Sequence, residues 1–145
     1  MQMLNRARAV IRKYGTNDPE SILELLKVKL FFLSMSGIRG IYKRIESHTI
    51  VFVDSNLDER TRTFVLAHEL GHHLLHKGTN RIFLDRCTLL KTSRYEDEAD
   101  LFATCLLAPW PDDVLFEGET MDDLATRIGV RREVAEMYLN EVRWR

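Results

Sequence analysis

The sequence predicts an α+β fold: a small, mainly antiparallel sheet of about three strands, packed with helices. Three observations predict it. Arg62 to His76 is an apolar-rich helical stretch that contains H-E-x-x-H, formed by His68, Glu69 and His72. Ile38–Arg44 and Thr49–Val53 are two strand-like runs separated only by Ile45 to His48, a connection short enough to favour an antiparallel pair. Ser93 to Leu107 is a second long helical stretch that opens on an S-x-x-E capping pattern, Ser93 to Glu96.

Taken in order, residues 3–14 place Leu4, Ala7, Val10 and Ile11 on one helical stripe. Gly15 to Asp18 breaks that helix. Asp18 then reads as an N-cap and Pro19 as the first residue of a second helix, which carries Ile22, Leu23, Leu25 and Leu26 inward. Val28–Leu33 is β-like, and Met35–Gly37 is a turn. Ile38–Arg44 alternates through Ile38, Gly40 and Tyr42. Glu46-Ser47-His48 is a hairpin turn, and Thr49–Val53 is β-branched and apolar, the strongest strand signal in the chain. The motif helix begins near Asp58 and fades at Lys77-Gly78. Residues 79–91 read as loop with a short extended piece at Ile82-Phe83-Leu84. Pro109 and Pro111 end the second long helix, and Thr120–Trp144 reads as two short helices broken at Gly129.

The chain has 145 residues, 45% hydrophobic and 30% charged, which suits one compact domain with a real core. We therefore expect residues 1–145 to form a single domain, with 120–145 a C-terminal helical hairpin. The formal net charge of −1 supplies no basic field for nucleic acid. The first residues lack the apolar core of a signal peptide, and no apolar run approaches the roughly 18 residues of a membrane span. Cys87 and Cys105 have no C-x-x-C spacing and read as reduced thiols, which suits a cytoplasmic protein.

On a helix, His68 and His72 lie one turn apart and face the same way, so their imidazoles can share one tetrahedral Zn2+. Glu69 projects about 100° round from His68, where it reaches a bound water rather than the ion. That is the position of a general base in a zinc hydrolase. A buried helix with His and Glu in it needs such a reason, because unpaired polar groups are costly inside. Gly71 costs about 1 kcal/mol against Ala in a helix interior, so its presence suggests that another backbone or a ligand passes close.

A catalytic zinc wants a third protein ligand. The longer pattern H-E-x-x-H-x-x-G-x-x-H is excluded, since positions 75 and 78 hold Leu75 and Gly78. His76 cannot join His68 and His72 on one ion, lying about 12 Å from His68 along the helix axis. His73 points off the ligand face. Both read as surface residues or outer partners of the site. The remaining candidates are Glu96, Asp97, Glu98 and Asp100. Glu96 and Asp100 share a face, so Glu96 can ligate while Asp100 accepts the spare ring N–H of a zinc histidine. Glu98, pointing away from that face, is the alternative ligand or a plain solvated residue.

These residues resemble the ImmA/IrrE family of zinc metallopeptidases, zincin-like proteins common in prophages and integrative elements. The resemblance runs from Asp18-Pro19 through the strands to Leu66-Ala67-His68-Glu69-Leu70-Gly71-His72-His73-Leu74-Leu75-His76. It continues in Tyr95-Glu96-Asp97-Glu98-Ala99-Asp100-Leu101-Phe102-Ala103 and Leu106-Leu107-Ala108-Pro109. It implies Glu96 as third zinc ligand and Asp100 as the acid four residues on. Ala108 departs from the Met that the family often has before the Pro, a change that bears on packing. The resemblance also implies cleavage of a helix-turn-helix repressor, releasing mobile-element or stress genes.

Two other readings compete. A zincin-shaped protein could bind a repressor without cutting it, although an intact Glu69 favours the enzyme. A DNA-binding regulator draws on Met121–Ala135, where Ala125 stands four before Gly129 as in helix-turn-helix units. Arg131, Arg132, Arg143 and Arg145 are basic there, but Glu133, Glu136 and Glu141 oppose phosphate contact, so a packed helical hairpin is the expectation. The substrate strand is expected beside an edge strand, with Ile38–Arg44 in that role.

Overall fold

A computed structural model describes residues 2–76, 83–86, 94–111 and 114–143, with backbone alone for 83–86. Its elements are α1 (Gln2–Tyr14), α2 (Pro19–Leu25), β1 (Lys29–Leu33), β2 (Ile38–Ile45), β3 (His48–Asp54), α3 (Glu59–Leu75), β4 (Phe83–Arg86), α4 (Arg94–Leu107), α5 (Met121–Ile128) and α6 (Arg132–Arg143). The fold is α+β, with helices packed against one small mixed sheet.

Local chemistry sets the helix boundaries. Asp18 accepts from the Ser21 N–H at 3.2 Å and Pro19 opens α2. Asp58 accepts from the Thr61 N–H at 2.7 Å and starts α3. Thr120 and Asp123 form a reciprocal capping box on α5, which stops at Gly129 in the left-handed region, φ 88°. The expected Ser93 cap of α4, the end of the motif helix at Lys77-Gly78, Ile82 and Cys87 lie outside the described residues.

Four strands form the sheet, in the order β1-β3-β2-β4. β2 and β3 pair antiparallel from Gly40↔Val53 to Ile45↔His48, so Glu46 and Ser47 alone make the turn, with Glu46 at φ 54°. β1 pairs parallel to β3, from Lys29↔Ile50 to Leu33↔Asp54. β4, in the stretch expected to be a short extended piece, pairs antiparallel to β2 and adds a strand to the expected three. Its register slips between Ile38 and Gly40, a bulge that leaves Arg39 over. The expectation that Ile38–Arg44 is the edge is thus corrected. β2 lies inside, between β3 and β4, and among the described residues the edges are β1 and β4.

The inner face of the sheet presents Gly40, Tyr42, Val51 and Val53 to α3. Every residue of α3 from Val65 to His73 is buried. Such a helix is enclosed all round rather than amphipathic, and here the sheet and α4 enclose it. Gly71 explains how closely: a Cβ on it would stand 3.2 Å from both Ala99 Cα and Ala99 O, and 3.3 Å from Phe102 Cδ1. Replacing Gly71 by Ala gains about 1 kcal/mol of helix propensity. The α4 backbone would then have to retreat by a few tenths of an ångström, at an overpacking cost of about 1–3 kcal/mol. We expect a net loss of up to about 2 kcal/mol, read as a lower urea midpoint, because a helix backbone yields less readily than a side chain.

One hydrophobic cluster joins Leu4 and Ala7 of α1, Ile22 and Leu23 of α2, Phe102 and Leu106 of α4, Leu124 of α5 and Val134 of α6 to the sheet. Several basic residues of the C-terminal segment are engaged within the chain: Arg131 pairs with Asp97, and Arg132 with Asp122 and Glu136. Cys105 is buried and free, and burial pushes its thiol up to about 12. No helix of the described residues is long and apolar enough to cross a membrane.

Candidate metal centre

α3 supplies two imidazoles and α4 one carboxylate to a single point. His68 Nε2 and His72 Nε2 stand 3.1 Å apart. Glu96 Oε2 is 3.1 Å from His68 Nε2, and Glu96 Oε1 is 2.9 Å from His72 Nε2. Among the described residues these three form a cluster whose ligand atoms could hold a metal. The other ring nitrogen of His68, Nδ1, meets Asp100 Oδ1 at 2.6 Å. Thr104, one turn on, donates from Oγ1 to the Asp100 carbonyl at 2.8 Å.

The donor set fits a zinc-sized cation. Ligands at roughly 2.0–2.1 Å from a tetrahedral ion stand about 3.3 Å from one another, within a few tenths of the spacings here. Electrostatics agree. Burial opposes charge on His68, but the carboxylates of Asp100 and Glu96 outweigh it and hold its pKa well above the usual histidine value. Burial dominates at His72 and lowers its pKa to about 4, so that ring is neutral. Burial would raise Glu96, yet its bonds to His68 and His72 prevail and bring it down to about 2. The ionised Glu96 and the neutral His72 thus bring a negative charge and a lone pair to the same point.

Glu69 is fully buried and turns toward β2. A Cβ on Gly40 would lie 2.9 Å from Glu69 Oε1, so the lack of a side chain there makes room for the carboxylate.

The neighbouring histidines are not surface residues. His73 is buried and its Nδ1 meets the Tyr42 hydroxyl at 3.1 Å, while burial raises the Tyr42 phenol above its ordinary value. His76 is buried too, with Nδ1 3.0 Å from His72 Nδ1 and Nε2 3.2 Å from Glu98 Oε2. Glu98, read from sequence as pointing away from the site, thus reaches it through His76. The available signal was the four-residue spacing of His72 and His76. Farther out, Tyr138 donates its hydroxyl to the Ala108 carbonyl at 2.9 Å, His48 is exposed on the hairpin, and Tyr95 packs edge-on against His76.

Residues 23–140 match the model of a peptidase family described as the IrrE N-terminal-like domain. The chain belongs to this family. It is also 35% identical over 131 residues to "Uncharacterized immunity region protein 2" of Bacillus phage phi105, covering 88% of this chain and 83% of that protein. It is 27% identical over 103 residues to "Metallopeptidase ImmA" of Bacillus subtilis (strain 168), covering 71% of this chain and 61% of that protein. The IrrE-like match extends from α2 into α6, so it includes both helices of the candidate metal centre. Membership in this metallopeptidase family implies a metal cofactor, and the donor set suits one.

Proposed function

We propose that the chain is a zinc-dependent, site-specific endopeptidase whose substrate is a helix-turn-helix repressor of mobile-element or stress genes. The observation that carries the reading is the convergence of the His68, His72 and Glu96 donor atoms on one point, on the helix that also carries a buried Glu69. His68, His72 and Glu96 hold the ion, and Asp100 orients His68. Zinc bound there would supply a Lewis acid and lower the pKa of water to about 7. Glu69 takes the proton from the attacking water and later delivers it to the leaving amine. A phage relative named for an immunity region supports a repressor as the partner. Residues 1–145 act as one cytoplasmic domain, with 120–145 a helical hairpin packed on it rather than a DNA reader.

The test is to measure zinc per chain in the purified protein, then incubate it with the repressor encoded beside it and follow fragments by mass. One zinc per chain and a single cut support the reading. Binding of the repressor with no fragments would favour the non-cleaving binding module.

Gly40→Ala is informative for the same reading. The new Cβ would meet Glu69 Oε1 and Val65 Cγ1, each at 2.9 Å, and the end of a carboxylate side chain yields more easily than the packed sheet. Moving a base by about 1 Å costs on the order of 10²-fold in rate. We expect zinc content to hold while cleavage drops by about that factor, measured as kcat/KM on the repressor.

A further inference from the structure

The hydrogen bonds around His76 form a directed chain. Arg94 Nε donates to Glu98 Oε1 at 2.8 Å, and Glu98 Oε2 lies 3.2 Å from His76 Nε2. An ionised carboxylate only accepts, so His76 Nε2 carries a hydrogen. An imidazole that donates one ring hydrogen to a carboxylate can accept at its other nitrogen, here Nδ1. Because that atom is 3.0 Å from His72 Nδ1, the hydrogen between them belongs to His72. This leaves the His72 lone pair on Nε2, the atom that faces Glu96 Oε1 and His68 Nε2.

We propose that His76, fixed by Glu98, is the positioning residue that sets the tautomer and aim of His72. It does for His72 what Asp100 does for His68. The two histidines are held alike by different means: one by a direct carboxylate, the other by a carboxylate acting through a second imidazole. Glu96 and Glu98, two residues apart on α4, thus divide the work, the first at the donor triangle and the second behind it. The inference rests on the metal-centre reading above.

The full chain tests it through zinc affinity by chelator competition and the His72 tautomer by ¹⁵N NMR. His76→Phe keeps a ring against Tyr95, 4.5 Å away between centroids, and removes both nitrogens. We expect zinc affinity to fall by about 10–100-fold, the usual cost of losing an outer partner, and the His72 Nδ1–H tautomer to lose its dominance. Asp100→Ala supplies the scale for such a loss. His76→Asn, with an amide oxygen near the Nδ1 position, should recover part of the affinity, and Glu98→Gln should weaken zinc in the same direction. If His76→Phe binds zinc as tightly as wild type with the tautomer unchanged, the positioning role is overturned and His76 only packs. Should His76→Phe not fold, Glu98→Gln decides by the same two readouts. If wild type binds no stoichiometric zinc, or Glu96→Ala binds it undiminished, the metal-centre reading itself fails, which is a separate result.

Discussion

Glu69→Gln should keep its zinc and its partner yet cut about 10²–10⁴-fold more slowly, the range for loss of a general base. Glutamine has nearly the same shape, so the space beside Gly40 still fits it and α3 keeps its packing. What disappears is the capacity to take a proton from water. The residue is fully buried in an enclosed stretch of helix, so a larger change there would test folding rather than chemistry. Incubating wild type and variant with the repressor, and timing fragments by mass, gives the ratio directly. A Gln variant that cuts at the wild-type rate places the base on another residue.

Glu96→Ala should remove far more zinc than any change at Glu98. Four-ligand structural zinc sites bind with about 10–16 kcal/mol, so one ligand accounts for roughly 2.5–4 kcal/mol, or about 10²–10³-fold in affinity. Glu96 touches both imidazoles, at 2.9 and 3.1 Å, whereas Glu98 touches neither and acts only through His76. Equal losses from Glu96→Ala and Glu98→Ala, in metal content after dialysis against a weak chelator, would mean the donor triangle is drawn wrongly.

Much of this architecture is legible in the sequence because its determinants are local. Asp18-Pro19, Asp58 and Gly129 mark helix ends through their own side chains or backbone, and the hairpin announces itself by a short polar connection between β-branched runs. Gly71 could be read as a point of close approach because nothing else justifies a glycine there; the α4 backbone at Ala99 is what approaches. The four-residue spacing of His68 and His72 is equally local. Pairings between distant segments are less legible. Nothing in Lys29–Leu33 says that its neighbour is β3 and parallel, and nothing in Phe83–Arg86 says that it covers the far side of β2. His76 and Glu98 are 22 residues apart, and each alone looks like an ordinary polar residue near a helix end. Their contact exists only once Gly71 has let α4 settle against α3.

The placement of β1 has a consequence for the order in which the chain assembles. β2 and β3 are joined by two residues, so their pairing closes a very short loop, whereas Lys29 meets Ile50 only after the intervening chain has folded back. Local pairings form before distant ones. β1 therefore docks after this hairpin has formed, on a β3 already held by β2. It also carries Phe31, Phe32 and Leu33, which remain partly exposed even in the finished sheet. Until it docks, the free side of β3 and this apolar segment are both open, and a second nascent chain offers the same pair of surfaces. The interval before β1 docks thus leaves this side of the sheet open to self-association. A slower parallel pairing would lengthen that interval, whatever the finished surface is like.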